Sequence, residues 1–304
     1  MYLQMRDLEY FAVLAEQGHL GRAAEVLGLS QPALSKCLRR LESSMGTKLV
    51  RRTPRGVDLT AVGSALRARV QRLRLSLDDV LHEALDLSEG RAGRLRVGAG
   101  AGMGDQFLAA ACSTFLVEAP KVALSLEIAP NAMLLPALRK GEYDLVVSGI
   151  RAGSPEDLAQ EKLYDDEFAV YCSRNHRLAS RTRITLSDLA QERWALSAPN
   201  DLSWNALHRA FEDAGLQPPR VAFLTTASGI RIGAVASSDL ISFASRRVLQ
   251  RVSRNFGVTP LQVKGFAWRR SVGVSYRKDS YISPAAHRLI SILKSTAMEM
   301  ARAV

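Results

Sequence analysis

The feature that most constrains the fold is a run of apolar residues spaced for one long, unbroken helix. From position 66 to position 87 they recur in alternating steps of four and three residues, with charged residues between them. This heptad pattern lets two helices pack side by side, whereas a helix packed only on its own domain more often has a wider stripe. We expect residues 61–89 to form a linker and dimerisation helix in which Leu66, Val70, Leu73, Leu77, Val80 and Leu87 meet a second copy of the chain.

The residues before position 60 predict a small helical domain. Residues 7–17 have one apolar face and are followed by Gly18, which suits the end of a helix. Residues 22–27 predict a short second helix with Gly21 at its N-cap. Two residues after that helix, Ser30 opens a third. A helix, a tight turn and another helix at this spacing form the arrangement that presents its second helix to DNA.

The third helix, at residues 30–42, has an apolar side and a basic side. Ser30 is a favourable N-cap, and Pro32 falls in the first turn, where its missing N–H costs nothing. Between positions 31 and 55 there are seven basic residues and one acidic residue. Amide and guanidinium groups bond base edges in the major groove, and cations bond phosphates. An ordinary amphipathic surface helix is the alternative. The polar side carries Gln31, Ser35, Lys36, Arg39 and Arg40.

Residues 49–60 predict a β-hairpin beside this helix. β-branched residues flank a Pro-Arg-Gly tip, and Thr60 then caps the long helix. A hairpin that bears Arg51, Arg52 and Arg55 would form a wing, with Arg55 entering the adjacent minor groove. A solvated basic loop is the alternative, and the neighbouring helix favours the wing.

After residue 93 the pattern changes to strands that alternate with helices. The alternation restarts near residue 165 and returns near residue 265. This predicts an α/β domain over residues 90–304, with parallel sheets covered by helices on both faces. Lobe I would comprise about 94–163 and 266–304, and lobe II about 164–265. The cleft between two such lobes is the natural ligand site.

The N-terminal motifs resemble those of a known family. The segments 23–25, 27–35 and 38–42 are similar to the N-terminal signature of LysR-type transcriptional regulators, and 46–60 looks like that family's wing and linker-helix start. Over residues 6–65 the motif residues themselves resemble the family closely. Over 94–300 the resemblance is weaker and lies in the architecture. It implies an α+β multidomain protein with a winged helix-turn-helix domain at 1–60, a linker helix, and a two-lobed α/β domain like that of periplasmic binding proteins.

The resemblance also implies a function. It implies a homodimer or a dimer of dimers, hence a homotetramer, that binds double-stranded DNA upstream of a controlled gene. A small-molecule effector in the cleft would change DNA bending and transcription, and RNA polymerase is a candidate partner. No cofactor is implied. The expected DNA contacts are Ser30, Gln31, Pro32, Ser35, Lys36, Arg39 and Arg40 on the third helix, with Arg52 and Arg55 on the wing.

The family's effector contacts map onto four turns of this chain. The turns in lobe I precede helices, so their N–H groups could hold a carboxylate. Residues 91–304 contain 28 basic and 19 acidic residues, which also favours a small organic anion. Many relatives have a hydroxyl side chain in the first turn, where this chain has Gly and Ala. The expected effector contacts are Gly100, Ala101, Gly102, Met103, Asn131, Pro199, Asn200, Thr226 and Ser228.

An enzyme and a free solute-binding protein are the alternative functions. The five histidines are scattered, and none has a carboxylate or cysteine partner at ligand spacing. The Gly-rich segment 98–102 lacks the Lys-Ser/Thr pair of a phosphate-binding loop. We therefore expect no catalytic residues and no metal. Residues 1–10 carry charge and no signal-peptide core, and no apolar run is long enough for a membrane span, so we expect a cytoplasmic protein with no membrane contact.

The cysteines predict no metal site. Cys37, Cys112 and Cys172 are widely spaced and odd in number, so buried reduced thiols are expected. A redox pair between Cys112 and Cys172 is the alternative.

Overall fold

The computed structural model describes residues 4–54, 56–89, 93–100, 105–150, 153, 155–197, 199, 202–266 and 268–302. The chain divides into two compact units, Met1–Leu81 and His82–Val304. The helices are α1 (Met5–Gln17), α2 (Leu20–Val26), α3 (Gln31–Met45), α4 (Ala61–Glu89), α5 (Asp105–Glu118), α6 (Asn131–Arg139), α7 (Leu186–Leu189), α8 (Leu202–Asp213), α9 (Ser228–Ala236), α10 (Arg246–Phe256) and α11 (Pro284–Arg302). The strands are β1 (Val50–Thr53), β2 (Gly56–Leu59), β3 (Arg94–Gly100), β4 (Ala123–Ala129), β5 (Leu145–Ile150), β6 (Leu158–Ser173), β7 (Arg193–Leu196), β8 (Arg220–Leu224), β9 (Leu240–Ser245), β10 (Val258–Pro260) and β11 (Trp268–Arg277).

In the first unit, α1, α2 and α3 pack around one apolar core. Phe11, Leu14, Leu34 and Leu41 are all buried in it. The predicted N-cap at Ser30 is confirmed, because its Oγ accepts a hydrogen bond from the N–H of Ala33 at 3.3 Å. This cap satisfies one of the amides that a helix start leaves without a partner.

The start of α2 differs from the prediction. The helix begins at Leu20, and the N-cap is His19 rather than Gly21. The imidazole Nδ1 of His19 accepts a hydrogen bond from the N–H of Gly21 at 3.1 Å. The side chain of His19 therefore supplies the acceptor that a glycine cap lacks.

The hairpin and the long helix are confirmed. β1 and β2 pair antiparallel from Val50 opposite Leu59 to Thr53 opposite Gly56. The helix α4 follows Thr60, whose Oγ1 accepts a hydrogen bond from the N–H of Gly63 at 3.0 Å. The chain therefore passes from the wing directly into a helix of 29 residues.

Part of the apolar stripe on α4 serves the unit's own core. Val70 is only 2% exposed and belongs to that core, and Leu66 packs against it. This corrects the expected place of Val70 in a dimer seam, because a side chain buried within one chain has no surface to offer a second copy. Three expected seam residues remain on the surface of the chain: Leu73 is 42% exposed, Leu77 is 45% exposed and Val80 is 61% exposed. The side chain of Leu87 lies outside the described residues.

The second unit is built on a nine-stranded mixed sheet within the described part of the chain. The strand order is β4-β3-β5-β11-β6-β9-β7-β8, and β10 pairs with β6. β3, β4 and β5 are parallel to each other, as are β7, β8 and β9, but β11 and β6 pair antiparallel with their neighbours. The expectation of parallel sheets is therefore only partly right. β6 and β11 run through both halves and provide the two crossovers.

Two elements of the second unit differ from the sequence prediction. β6 has 16 residues and begins at Leu158, before the restart of the alternation that was expected near residue 165. The helix α10 was not predicted; its apolar residues Val248, Leu249 and Val252 pack toward the sheet beside β10. The division into domains at 1–60, 61–89 and 90–304 stays a prediction, as do the two lobe boundaries.

Candidate DNA-binding surface and effector cleft

The outer side of α3 exposes most of the residues expected to meet DNA. On the opposite side of the helix, Leu34, Leu38 and Leu41 are buried in the core. Ser35 is half-buried, and its carbonyl accepts a hydrogen bond from Arg39 Nε at 3.4 Å. That bond lays the Arg39 stem along the helix. The exposed residues are Ser30, Gln31, Pro32, Lys36, Arg39 and Arg40.

Arg40 is ion-paired to α1 but remains exposed, so its expected role as a DNA contact stays a prediction. Its Nε donates to Asp7 Oδ2 at 2.8 Å, and its Nη2 contacts Asp7 Oδ1. Asp7 is only 3% exposed, and its hydrogen bond raises the pKa of Arg40. The guanidinium therefore fixes α3 against α1. Sequence analysis missed this pair because its members are 33 positions apart.

A buried carboxylate also fixes the C-terminal part of α3. Glu42 accepts hydrogen bonds from Lys48 Nζ at 2.7 Å, from the N–H of Leu49 at 3.0 Å and from the N–H of Val50 at 3.4 Å. Burial raises the pKa of Glu42, but these donors outweigh it and hold the pKa below its ordinary value. The only acid between positions 31 and 55 therefore joins α3 to the start of the wing.

Two glycines let the wing pack closely against its neighbours. Gly56 has a φ of 138°, and a Cβ there would lie 2.2 Å from the carbonyl oxygen of Gly18. A Cβ on Gly63 would lie 2.0 Å from the carbonyl oxygen of Leu49. The wing is thus fitted between the end of α1 and the start of α4. Arg51 and Arg52 are exposed on β1, and Arg55 lies outside the described residues.

In the second unit, strands from both halves end beside the middle of β6. The last residue of β5, Ile150, pairs with Ser271 of β11, which pairs in turn with Asp165 of β6. The last residue of β9, Ser245, pairs with Phe168 of β6. Loops after the carboxyl ends of parallel strands form the usual ligand crevice of α/β sheets. The register therefore brings the strand ends of both halves to the same stretch of β6.

The described effector candidates lie at these strand ends and helix starts. Gly100 is the last residue of β3 and is buried, while Asn131 and Ser228 are half-buried first residues of α6 and α9. Pro199 and Thr226 are exposed. The remaining candidates lie outside the described residues, namely Ala101, Gly102, Met103 and Asn200.

A buried ionic centre lies in the same stretch of β6 and β11. Arg270 Nη2 lies 3.4 Å from Asp166 Oδ2, and Ser245 Oγ donates to Asp166 Oδ1 at 2.6 Å. The Arg270 guanidinium carbon also lies 4.4 Å from the ring centroid of Phe168. Burial raises the pKa of Asp166, although Ser245 and Arg270 act to lower it. Sequence analysis missed this centre, which pairs residues 104 positions apart.

A cavity of about 390 Å³ lies along β6 from Glu167 to Val170. Its lining combines the basic residues Arg183, Arg246 and Lys264 with apolar side chains. Arg246 Nε donates to Glu167 Oε1 at 2.6 Å, so part of this basic charge is neutralised. None of the described effector candidates lines this cavity.

No candidate metal site is found in the described part of the chain. No cluster of three His, Cys, Asp or Glu side chains there could hold a metal ion, and no helix there is long and apolar enough to cross a membrane. Cys172 is buried, whereas Cys37 and Cys112 are half-buried, and none is in a disulfide. Burial and the nearby Glu192 raise the pKa of Cys172 to about 12. Burial also raises the pKa of Cys112, which disfavours the redox alternative.

Comparison with known families covers both units. Residues 5–64 match the bacterial regulatory helix-turn-helix protein of the lysR family. Residues 88–298, more than half of the chain, match the LysR substrate binding domain. The chain belongs to the LysR family. It is therefore a DNA-binding transcriptional regulator with an effector-binding domain and not an enzyme, as predicted.

Curated relatives agree with this LysR-family membership. The chain is 30% identical to the transcriptional regulator GalR of Pseudomonas putida, over 99% of this chain and 76% of GalR. It is 28% identical to the uncharacterized regulator YybE of Bacillus subtilis, over 93% of this chain and 96% of YybE.

Structures of known proteins have the same fold. A full-length variant of OxyR from Pseudomonas aeruginosa has a TM-score of 0.64 at 22% identity, over 98% of this chain and 95% of that one. CbnR complexed with its target DNA has a TM-score of 0.60 at 18% identity, over 97% and 100%. The effector binding domain of QuiR in complex with shikimate has a TM-score of 0.58 at 19% identity, over 68% and 98%.

Proposed function

We propose that this regulator binds a specific operator through α3 and the wing, and that a small organic anion in the cleft of the second unit controls it. The observation that carries the proposal is the exposed basic side of α3, whose C-terminal part is held by the Arg40–Asp7 and Glu42–Lys48 contacts. A rigid, positively charged helix can hold its donors in register with base edges. The solved complex of CbnR with DNA shows that a protein of this fold binds duplex DNA.

The effector side of the proposal is supported by the strand ends that meet beside β6. Asn131 and Ser228 open helices there, and the first amides of a helix attract anions. QuiR is solved with shikimate, an organic acid, and has the same fold. An acidic metabolite of similar size is the effector class that this chemistry favours.

The assembly proposed for the chain is a homodimer in which two copies of α4 pack together. Two such dimers can associate into a tetramer. The exposed side chains of Leu73, Leu77 and Val80 support it, because they continue the apolar pattern beyond the unit's core. A two-fold dimer reads a nearly palindromic site. RNA polymerase remains a proposed partner, and DNA binding supports a cytoplasmic location.

The experiment is selection of genomic fragments by the purified full-length protein, followed by footprinting of the enriched DNA. We expect one or a few intergenic sites with two half-sites about one helical turn or a multiple of it apart. The matched variant is Lys36→Ala, which retains the fold and should lose enrichment. Equal recovery of all fragments by both proteins would contradict the proposal.

A further inference from the structure

Three buried polar side chains lie together beneath α9. Tyr171 of β6 and Ser242 of β9 are directly opposite in the sheet and are both 0% exposed. Arg231 of α9 is 8% exposed. Tyr171 Oη, Ser242 Oγ and Arg231 Nε have no hydrogen-bond partner within the described residues. Buried polar groups are nearly always hydrogen-bonded, so three neighbouring exceptions require a physical explanation.

The three groups are close enough to influence one another. Burial raises the pKa of Tyr171, while the Ser242 hydroxyl and the Arg231 charge both act to lower it. Arg231 Nη1 donates to the carbonyl oxygen of Thr225 at 2.9 Å. Because Thr225 follows the last residue of β8, this bond places the guanidinium below the carboxyl edge of the parallel strands. At that edge lies the effector candidate Thr226, and Ser228 begins α9 there.

The chemistry of this cluster selects a negatively charged ligand. Arg231 takes part in no ion pair with a described carboxylate. A buried charge without a partner is costly, and buried charges are normally paired. Arg231 Nε–H is a donor only, and the hydroxyls of Tyr171 and Ser242, which can also accept, each have a proton to donate. A site made of donors around a positive charge is completed by an acceptor that is itself negative, such as the oxygens of a carboxylate or phosphate.

We infer that Arg231, Tyr171 and Ser242 form an anion-binding pocket in lobe II, which receives a carboxylate or phosphate group from the side of Thr225. The inference rests on the proposed function in one respect, because it makes this pocket the holder of the effector's acidic group. A free inorganic anion has the same chemistry and would occupy the same donors. In either case the ligand supplies the charge that Arg231 lacks.

The test measures the unfolding temperature of the full-length protein as acetate or phosphate is added. The added anion replaces the bulky sulfonate of a HEPES buffer, so that the ionic strength stays constant. We expect a saturable rise in the wild type. In Arg231→Met the charged contact is lost, so the anion concentration that gives half of the rise in unfolding temperature should increase by about tenfold or more. Tyr171→Phe and Ser242→Ala should shift it less. The matched control is Arg254→Met, which removes an exposed arginine of α10 and should respond like the wild type.

A second readout separates a ligand site from an internal hydrogen-bond network. Without added anion, Arg231→Met should unfold at the same temperature as the wild type or higher, because it removes an unpaired buried charge and keeps an apolar stem of similar volume. An unresponsive wild type would overturn the inference, whether or not the variants fold. A destabilised Arg231→Met whose response matches the wild type would overturn it as well.

The two sources of the anion give different results. A response to acetate with little response to phosphate indicates the carboxylate of an organic effector, and the reverse indicates a phosphate group or the inorganic ion. Failure of the proposed function is distinguishable, since the wild type would then still bind acetate while organic acids left its DNA footprint unchanged.

Discussion

Arg40 on α3 donates from Nε to the buried carboxylate of Asp7 on α1 at 2.8 Å, whereas its neighbour Arg39 reaches back only to the carbonyl oxygen of Ser35. Two adjacent arginines of one helix therefore have different tasks. Both side chains are exposed, but Arg40 is ion-paired to α1, whereas Arg39 is hydrogen-bonded to its own helix. This difference yields a matched pair of variants for the DNA-binding surface.

The first prediction concerns that pair. Arg39→Ala should weaken operator binding by about 1–3 kcal/mol and reduce its salt dependence, because a cation facing DNA is lost. Its unfolding temperature should match the wild type. Arg40→Ala should instead lower the unfolding temperature, because Asp7 loses its partner. Fluorescence anisotropy at several salt concentrations, together with thermal denaturation, measures both effects. Equal loss of affinity at equal stability in both variants would refute the assignment.

The second prediction concerns pH. The pKa of Glu42 is held below its ordinary value, so its contribution to stability is present above about pH 4.5 and is lost as the pH falls through the lower value of the folded state. Glu42→Gln should cost about 1–3 kcal/mol at pH 7, since a buried charged acceptor is removed. The cost should shrink in acid. Urea denaturation at pH 7 and pH 4 tests this, with the exposed Glu25→Gln as control; a cost that is independent of pH would be contrary to it.

The third prediction concerns the junction between the wing and α4. Gly63→Ala places a Cβ 2.0 Å from the carbonyl oxygen of Leu49, so the helix start must move away from β1. We expect a loss of about 1–3 kcal/mol of unfolding free energy, as for other overpacked sites. The neighbouring exposed Ser64→Ala is the control and should be nearly neutral. Chemical denaturation compares the two, and equal stability would show that the junction tolerates the methyl group.

The fourth prediction concerns the outer part of α4. Leu73→Asp combined with Leu77→Asp should convert the dimer to a monomer, because each places a charge in the proposed seam. Val70→Ala should leave the dimer intact and lower the stability of the first unit, since Val70 is buried in its core. Sedimentation velocity and thermal denaturation distinguish the two effects. An intact dimer in the double variant would exclude this seam.

Local patterns in the sequence were sufficient for elements with local signals. Ser30 as a cap, the hairpin at 50–59 and the long helix after Thr60 each depend on neighbouring residues and were predicted correctly. Contacts between distant residues leave no such signal. Asp7 and Arg40, or Asp166 and Arg270, are recognised as pairs only once the fold brings them together.

Mixed patterns explain the other differences. The first half of β6 contains the consecutive polar residues Gln160, Glu161 and Lys162, so the sequence did not predict a strand there. The arginines of α10 hid its short apolar side. Arg231 of α9 is buried, and its burial could not be inferred from its neighbours in the sequence.

The measurement that tests the central claim most directly is a footprint of the full-length protein on its selected operator, repeated with a panel of small organic acids and with neutral and cationic analogues of the same size. The account predicts a protected site whose extent or bend changes with at least one acid and with none of the analogues. A footprint that no acid changes, or that responds only to neutral or cationic compounds, would contradict it.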